Sequence, residues 1–260
     1  MTAETLPLPN LRKMFVPDEG YTIIDVDLER ADAQVVAWEA GDEELKQMFR
    51  EGADIHTENA KTIFKLRQEP TYQERQKAKQ GCHAVNYGCS ARTLAPYLGS
   101  TVKDAEDFIN RWLSAHPKIK NWHDRVMFEL RTERSVKNAF GFRIYFFDRV
   151  DVKLRNQALA WLPQSTVGIV TNKGLVNIDE NLSGEWDVEL LLQVHDSLVC
   201  QAPTQYCPQV FDKILEQMRV EVPYDDPLYI PNTLEASEKS WGDVIAHEKW
   251  LKAHGYEVTA

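Results

Sequence analysis

The stretch Glu189–Gln201, ELLLQVHDSLVCQ, constrains the fold more than any other part of the chain. Apolar, largely branched residues run on both sides of His195-Asp196, and a polar pair between two apolar runs of strand length reads as a hairpin. An Asp at such a tip exposes a carboxylate while two strands hold it. A second short strand, Tyr21–Val26, follows the turn Pro17-Asp18-Glu19-Gly20 and leads into Asp27. Between these strands the spacing is helical over Asp32–Trp38 and Glu43–Arg50, parted by Gly41-Asp42, then over Tyr72–Tyr87, Lys103–Ser114 and Asn121–Arg131, the last after a stop at His116-Pro117. Ser135–Phe147 reads as an aromatic-rich hairpin around Gly141, and Lys153–Ile178 as a long helical stretch interrupted at Pro163. Sheet, helices, then sheet again predicts an α+β fold in which a helical subdomain is inserted into a sheet-bearing one.

With 260 residues and 43% hydrophobic content, the chain can bury a substantial core. Its longest apolar runs, such as Val188–Val194, fall far short of the roughly 20 residues a membrane helix needs, and Met1 opens a polar, proline-marked segment unlike a signal peptide. The expectation is a cytoplasmic protein, in the host cytoplasm if viral, with no membrane partner. Four cysteines form two pairs, Cys82 with Cys89 and Cys200 with Cys207, each seven positions apart. Neither interval is that of a zinc knuckle, so reduced structural thiols are expected. A net charge of -10 argues against a chain that grips nucleic acid by charge alone. Arg67, Arg75, Lys77 and Lys79 nevertheless cluster, while acidic residues crowd Asp18–Glu58, which permits a local basic groove.

Asp27 at a strand end and Asp196 at a strand turn can project from the same sheet. Two hard oxygen ligands suit Mg²⁺, which binds through one or two carboxylates plus substrate phosphates. Paired metals can then activate an attacking hydroxyl and stabilise a leaving oxygen. On spacing alone, the commoner role of an Asp at a strand end is that of a turn former. Arg75, Lys79, His83 and Tyr87 recur every four residues, a step of about 400°, and so form a slowly drifting stripe on one helical face. Guanidinium, ammonium, imidazole and ring in sequence match a nucleoside triphosphate, whose phosphates take the cations and whose base stacks on the ring. A solvated basic face is the competing reading of the same stripe.

Three segments carry a resemblance. IDVDLERADAQVVAWEAGDEELKQMFREGADIH, Ile24–His56, resembles motif A of family A DNA polymerases, which include phage-type members and bacterial DNA polymerase I. RQKAKQGCHAVNYG, Arg75–Gly88, is similar to motif B, and LLLQVHDSLV, Leu190–Val199, to motif C. SEKSWGDV, Ser237–Val244, resembles the family's C-terminal segment, and LPQST around Gln164 is a weaker match. The resemblance implies an antiparallel-sheet palm with inserted helical fingers: residues 1–60 as the first part of the palm with motif A, 61–137 as fingers with motif B, and 138–260 as the rest of the palm with motif C.

It further implies template-directed addition of deoxynucleotides to a primer 3′ end, with primer-template DNA and dNTP as partners. Two Mg²⁺ ions, for which Mn²⁺ can substitute, would be held by Asp27, Asp196 and the Leu28 carbonyl. His56, Arg75 and Lys79 would contact the triphosphate, with Lys79 protonating departing pyrophosphate. Tyr87 would lie beneath the nascent base pair, with Asp32 and His83 around the nucleotide sugar. His195 would lie near the primer terminus, and Gln164 in the minor groove.

Three departures carry consequences. Asp32 stands where the family usually has Glu, which implies weakened ribonucleotide rejection. His83 replaces an aromatic Phe or Tyr and puts selection at the sugar 3′ position in question. Ser197 replaces an acid after His-Asp, which implies one negative charge fewer near the metals. His-Asp-Ser is also the form found in single-subunit RNA polymerases, so an RNA-synthesising or relaxed-sugar enzyme is one alternative and a catalytically silent palm serving as a scaffold is another. Only 26 residues precede Asp27. The chain is therefore expected to be a C-terminal piece working with a partner chain that carries a thumb, with or without an exonuclease.

Overall fold

A computed structural model describes residues 9–256, so the start of the polar opening segment lies outside the described residues. In chain order the main elements are β1 (Tyr21–Leu28), α1 (Ala31–Ala40), α2 (Glu43–Arg50), α3 (Ile55–Phe64), α4 (Tyr72–Asn86), α5 (Ala91–Leu98), α6 (Val102–Ala115) and α7 (Pro117–Thr132). They continue through β2 (Ser135–Lys137), β3 (Arg143–Tyr145), α8 (Val152–Leu182), β4 (Glu189–Val194), β5 (Ser197–Pro203) and α9 (Cys207–Gln217). The chain closes with β6 (Glu221–Val222), β7 (Leu228–Tyr229), β8 (Asn232–Ser237), β9 (Ile245–Ala246) and α10 (His247–Ala253). The fold is α+β, and none of the described helices is long and apolar enough to cross a membrane.

The chain divides into two compact units. One gathers the residues up to Glu29, Gly168–Glu221 and those from Tyr229 on, and the other holds Arg30–Val167 with Val222–Leu228. The first is built on a five-stranded antiparallel sheet of order β4-β5-β1-β8-β9. As its central strand, β1 is buried from Thr22 to Val26 on both faces, so Ile23, Ile24 and Val26 do not alternate with exposed polar residues, and Asp25 is a buried charge among them. Ile24 and Val26 pair with Cys200 and Leu198 on one side and with Ala236 and Leu234 on the other, all of them buried. Helix α9, whose Val210, Phe211 and Ile214 are buried, packs against β1, β5 and β8. Ile23, Val199 and Trp241 form a cluster with Leu192, Val194 and Val244.

The second unit is helical. Its helices start where the sequence supplies caps: Thr71 with Glu74, and Thr101 with Asp104, form capping boxes for α4 and α6. Helix α4 buries Ala78, Gly81, Cys82 and Val85. A Cβ at Gly81 would collide with the Phe108 ring of α6, so glycine sets how closely these helices approach.

Some elements differ from expectation. Helix α8 runs unbroken through Pro163, because burial of Ala158, Leu159, Leu162, Val167 and Val170 outweighs the one backbone hydrogen bond the proline cannot donate. Pro117 opens α7 rather than only ending the preceding helix, since a missing N–H costs nothing in a first turn. Helices α3, α5 and α9 and strand β8 were not legible as periodic runs.

Candidate active site

Residues 25 and 27 of β1 point to one face of the sheet, because side chains alternate along a strand. Register then selects their neighbours: Asp27 pairs with Ser197 and Thr233, and Asp25 with Val199 and Glu235. Val194 pairs with Ser197, so His195-Asp196 is the two-residue turn of the β4–β5 hairpin. His195 takes φ 58°, a left-handed conformation that costs a non-glycine residue roughly 1–2 kcal/mol. The Leu28 N–H donates to the Asp196 carbonyl at 3.3 Å, which fastens this turn to the end of β1. Asp27 and Asp196 thus lie at one end of one sheet.

A cavity of about 300 Å³ opens here, lined by Arg12, Asp25, Asp27, Ser197, Thr233 and Glu235. Asp25 is buried, and its carboxylate accepts from the Ser197 hydroxyl and, at 2.6 Å, from the Trp241 indole N–H. The Arg12 guanidinium lies 3.8 Å from Asp25 and 4.3 Å from the Trp241 ring centroid. Gly242 makes room for this arrangement, since a Cβ there would come within 2.8 Å of the Lys13 backbone nitrogen.

Asp27 is exposed as a residue, yet its pKa is pushed up to about 6. Lost hydration at the sheet surface is the largest cause, followed by the charges of Asp196 and Asp25; Arg12 opposes the rise and Glu235 adds to it. The face therefore holds more negative charge than its one nearby arginine offsets. Hard oxygen donors with surplus negative potential fit a divalent cation. Among the described residues no group of three or more His, Cys, Asp or Glu side chains could hold a metal ion by itself.

In the helical unit, the stripe on α4 lies opposite the buried face of that helix. Arg75 is half-buried and donates from Nε and Nη2 to Asp54 at 2.9 and 3.0 Å, holding that carboxyl far below its usual range. Lys79 and His83 are exposed. Tyr87 caps the helix, donates its phenol O–H to Asp32 at 2.6 Å and meets the His83 ring edge-on at 4.6 Å. His56 has both ring nitrogens buried and without a hydrogen-bond partner. Burial first, then Lys79 and Arg75, push its pKa down to about 4, so it is neutral at pH 7. Gln164 on α8 and His195 at the hairpin tip are exposed. Of the cysteines, Cys82, Cys200 and Cys207 are buried thiols and Cys89 is half-buried.

The family model for DNA polymerase family A matches residues 4–243. The chain belongs to that family. It is 35% identical over 229 residues to the thermostable DNA polymerase I of Thermus filiformis, covering 85% of this chain and 27% of that protein. With the corresponding Thermus aquaticus enzyme, identity is 32% over 250 residues, covering 94% and 28%. Its fold matches the POL domain of Pol1 from M. smegmatis, solved in complex with DNA primer-template and dNTP, at a TM-score of 0.80 and 20% identity, over 92% of this chain and 44% of that one. This family A chain thus spans little more than a quarter of the length of those curated relatives.

Within the family A fold, the sheet unit brings together Asp27, Leu28, His195 and Asp196, and the helical unit brings together His56, Arg75, Lys79, His83, Tyr87 and Asp32. Sequence reasoning missed Arg12, Asp25, Trp241 and Glu235. Asp25 had a signal, because it stands two positions before Asp27 and must share its face. It also answers the charge expected to be missing at Ser197: the Ser197 hydroxyl binds an acid on the neighbouring strand.

Proposed function

We propose that this chain is the nucleotide-transferring part of a family A DNA polymerase, adding dNTP to a primer 3′ end on a DNA template. Family membership and the joining of Asp27 and Asp196 at one sheet end support this reading, and the Leu28–Asp196 hydrogen bond is the observation that carries it. Asp27, Asp196 and the Leu28 carbonyl would hold two divalent cations, Mg²⁺ or Mn²⁺. When bound, these ions supply positive charge that lowers the pKa of the primer hydroxyl and neutralises the triphosphate.

The remaining roles fall to side chains. Arg75, already committed as a bidentate donor to Asp54, would exchange that carboxylate for phosphate oxygens of similar geometry. His56, neutral and unpartnered, would donate a hydrogen bond to the same triphosphate rather than a charge. Lys79 Nζ–H would pass a proton to departing pyrophosphate. Tyr87, fixed by Asp32, would form the floor under the new base pair, with Asp32 and His83 beside the sugar. Gln164 would read the minor groove, and His195 would sit near the primer terminus.

Duplex grip would come from a protein partner with a thumb, because a net charge of -10 supplies little general affinity for phosphates. Primer extension in Mg²⁺, with and without a candidate partner, tests the reading. Asp27→Ala and Asp196→Ala should each lose activity on the order of 10³-fold, the several kcal/mol that metal-held charge contributes. Extension surviving in either variant would refute it.

A further inference from the structure

We propose that Asp25 is a positioning residue for the Asp27–Asp196 cation site, acting through its hydrogen bond to Ser197 and through its charge. This rests on the reading of Asp27 and Asp196 as cation ligands.

A buried carboxylate is costly unless a cation or hydrogen bonds compensate it. Around Asp25 the compensation is incomplete by charge, since the Arg12 guanidinium stands 3.8 Å away and is itself half exposed. It is complete by hydrogen bonding: Oδ1 accepts from Ser197 and Oδ2 from Trp241. A neutral amide of the same shape could accept from Trp241 and donate to a turned Ser197 hydroxyl without burying a charge, so the charge needs a reason. Its setting supplies one, because Asp25 lines the same cavity as Asp27.

The hydrogen bond supplies a second reason. Ser197 follows Asp196 directly and pairs with Asp27 in the ladder, while Asp25 pairs one step further along with Val199. The Ser197–Asp25 bond therefore runs diagonally from β5 to β1. Together with the Leu28–Asp196 bond it fastens the hairpin tip to β1 at two successive residues, Asp196 through its carbonyl and Ser197 through its hydroxyl. Trp241, whose indole grips the other oxygen, keeps the Asp25 carboxylate from turning away.

The test uses the full chain and Mn²⁺ as probe, following free Mn²⁺ by electron paramagnetic resonance alongside thermal melting. Asp25→Asn keeps the shape, can still accept from Trp241 and donate to Ser197, and removes only the charge. Affinity for Mn²⁺ should fall about tenfold in Asp25→Asn and about threefold in Ser197→Ala, with melting little changed, since cation affinity follows the charge and rigidity of the site. If Asp27→Asn loses Mn²⁺ while Asp25→Asn binds it within about twofold of the parent, Asp25 has no such role. Mn²⁺ binding intact in both would sink the underlying reading as well. Should Asp25→Asn fail to melt cooperatively, Ser197→Ala decides alone, and an unchanged affinity there overturns the proposal.

Discussion

At the end of β1, Asp25 has both carboxylate oxygens hydrogen-bonded and the Asp196 turn is fastened by Leu28, whereas along α4 Lys79 and His83 are exposed and His56 has neither nitrogen bonded. The first region sets side chains by ladder register, so a shift of one residue would turn every carboxylate to the other face. The second sets them by helical spacing on a backbone whose opposite face is packed around Gly81 and Phe108, with Arg75 and Tyr87 held by Asp54 and Asp32 and the tips of Lys79 and His83 exposed. Neighbouring like charges are held by a ladder, and the basic stripe mixes two anchored side chains with two exposed ones.

The largest effect that can break this contrast is at Lys79. Lys79→Ala should slow nucleotide transfer about 100-fold, the usual worth of a positioned proton donor, and should leave Mn²⁺ affinity unchanged. A fall in Mn²⁺ affinity would mean the two regions are not independent. Next, Asp32→Glu should sharpen dNTP over NTP selection by about tenfold, since one buried methylene at a pocket wall is worth about that much. Equal selection in parent and variant, measured by competitive incorporation, would remove Asp32 from sugar discrimination.

Smaller still, Gly81→Ala should cost about 1–3 kcal/mol through overpacking against Phe108 and lower the melting temperature by roughly 2–4 °C per kcal/mol. Unchanged melting would show that the helical scaffold under the stripe is not tightly set. The smallest effects are in pH dependence, where the two regions differ in sign. Asp27 titrates near 6 when folded against 3.8 ordinarily, so the native state holds the extra proton in that window and stability falls as pH rises through it. Asp27→Asn should therefore melt above the parent at pH 7, with the gap closing toward pH 4. His56 is shifted from 6.5 down to about 4, so the unfolded chain takes the proton first and stability falls as pH drops through that window. His56→Gln should flatten that acid limb.

Much of both regions was legible in the chain. The strand into Asp27, the hairpin at His195-Asp196 and the stripe from Arg75 to Tyr87 all follow from local periodicity, and all form. What escaped depends on contacts distant in sequence. Asp25 meets Ser197 and Trp241 across 172 and 216 positions, and no local pattern announces that. Strand β8, NTLEAS, is short and polar, and is a strand because β1 offers it a ladder. Pro163 read as a break because propensity was weighed without the burial that carries α8 through it.

If the β1 region holds the cations and the α4 region the triphosphate, single-turnover incorporation of one dNTP against its concentration separates the two roles. Asp27→Glu, which lengthens a ligand in the rigid ladder, should lower the maximal rate by about 10³-fold while the apparent dNTP affinity stays within about threefold. Arg75→Lys, which keeps the charge but loses the fork, should weaken dNTP affinity about tenfold with a much smaller loss of rate. The reverse pattern, with Asp27→Glu acting on affinity and Arg75→Lys on rate, would contradict the account.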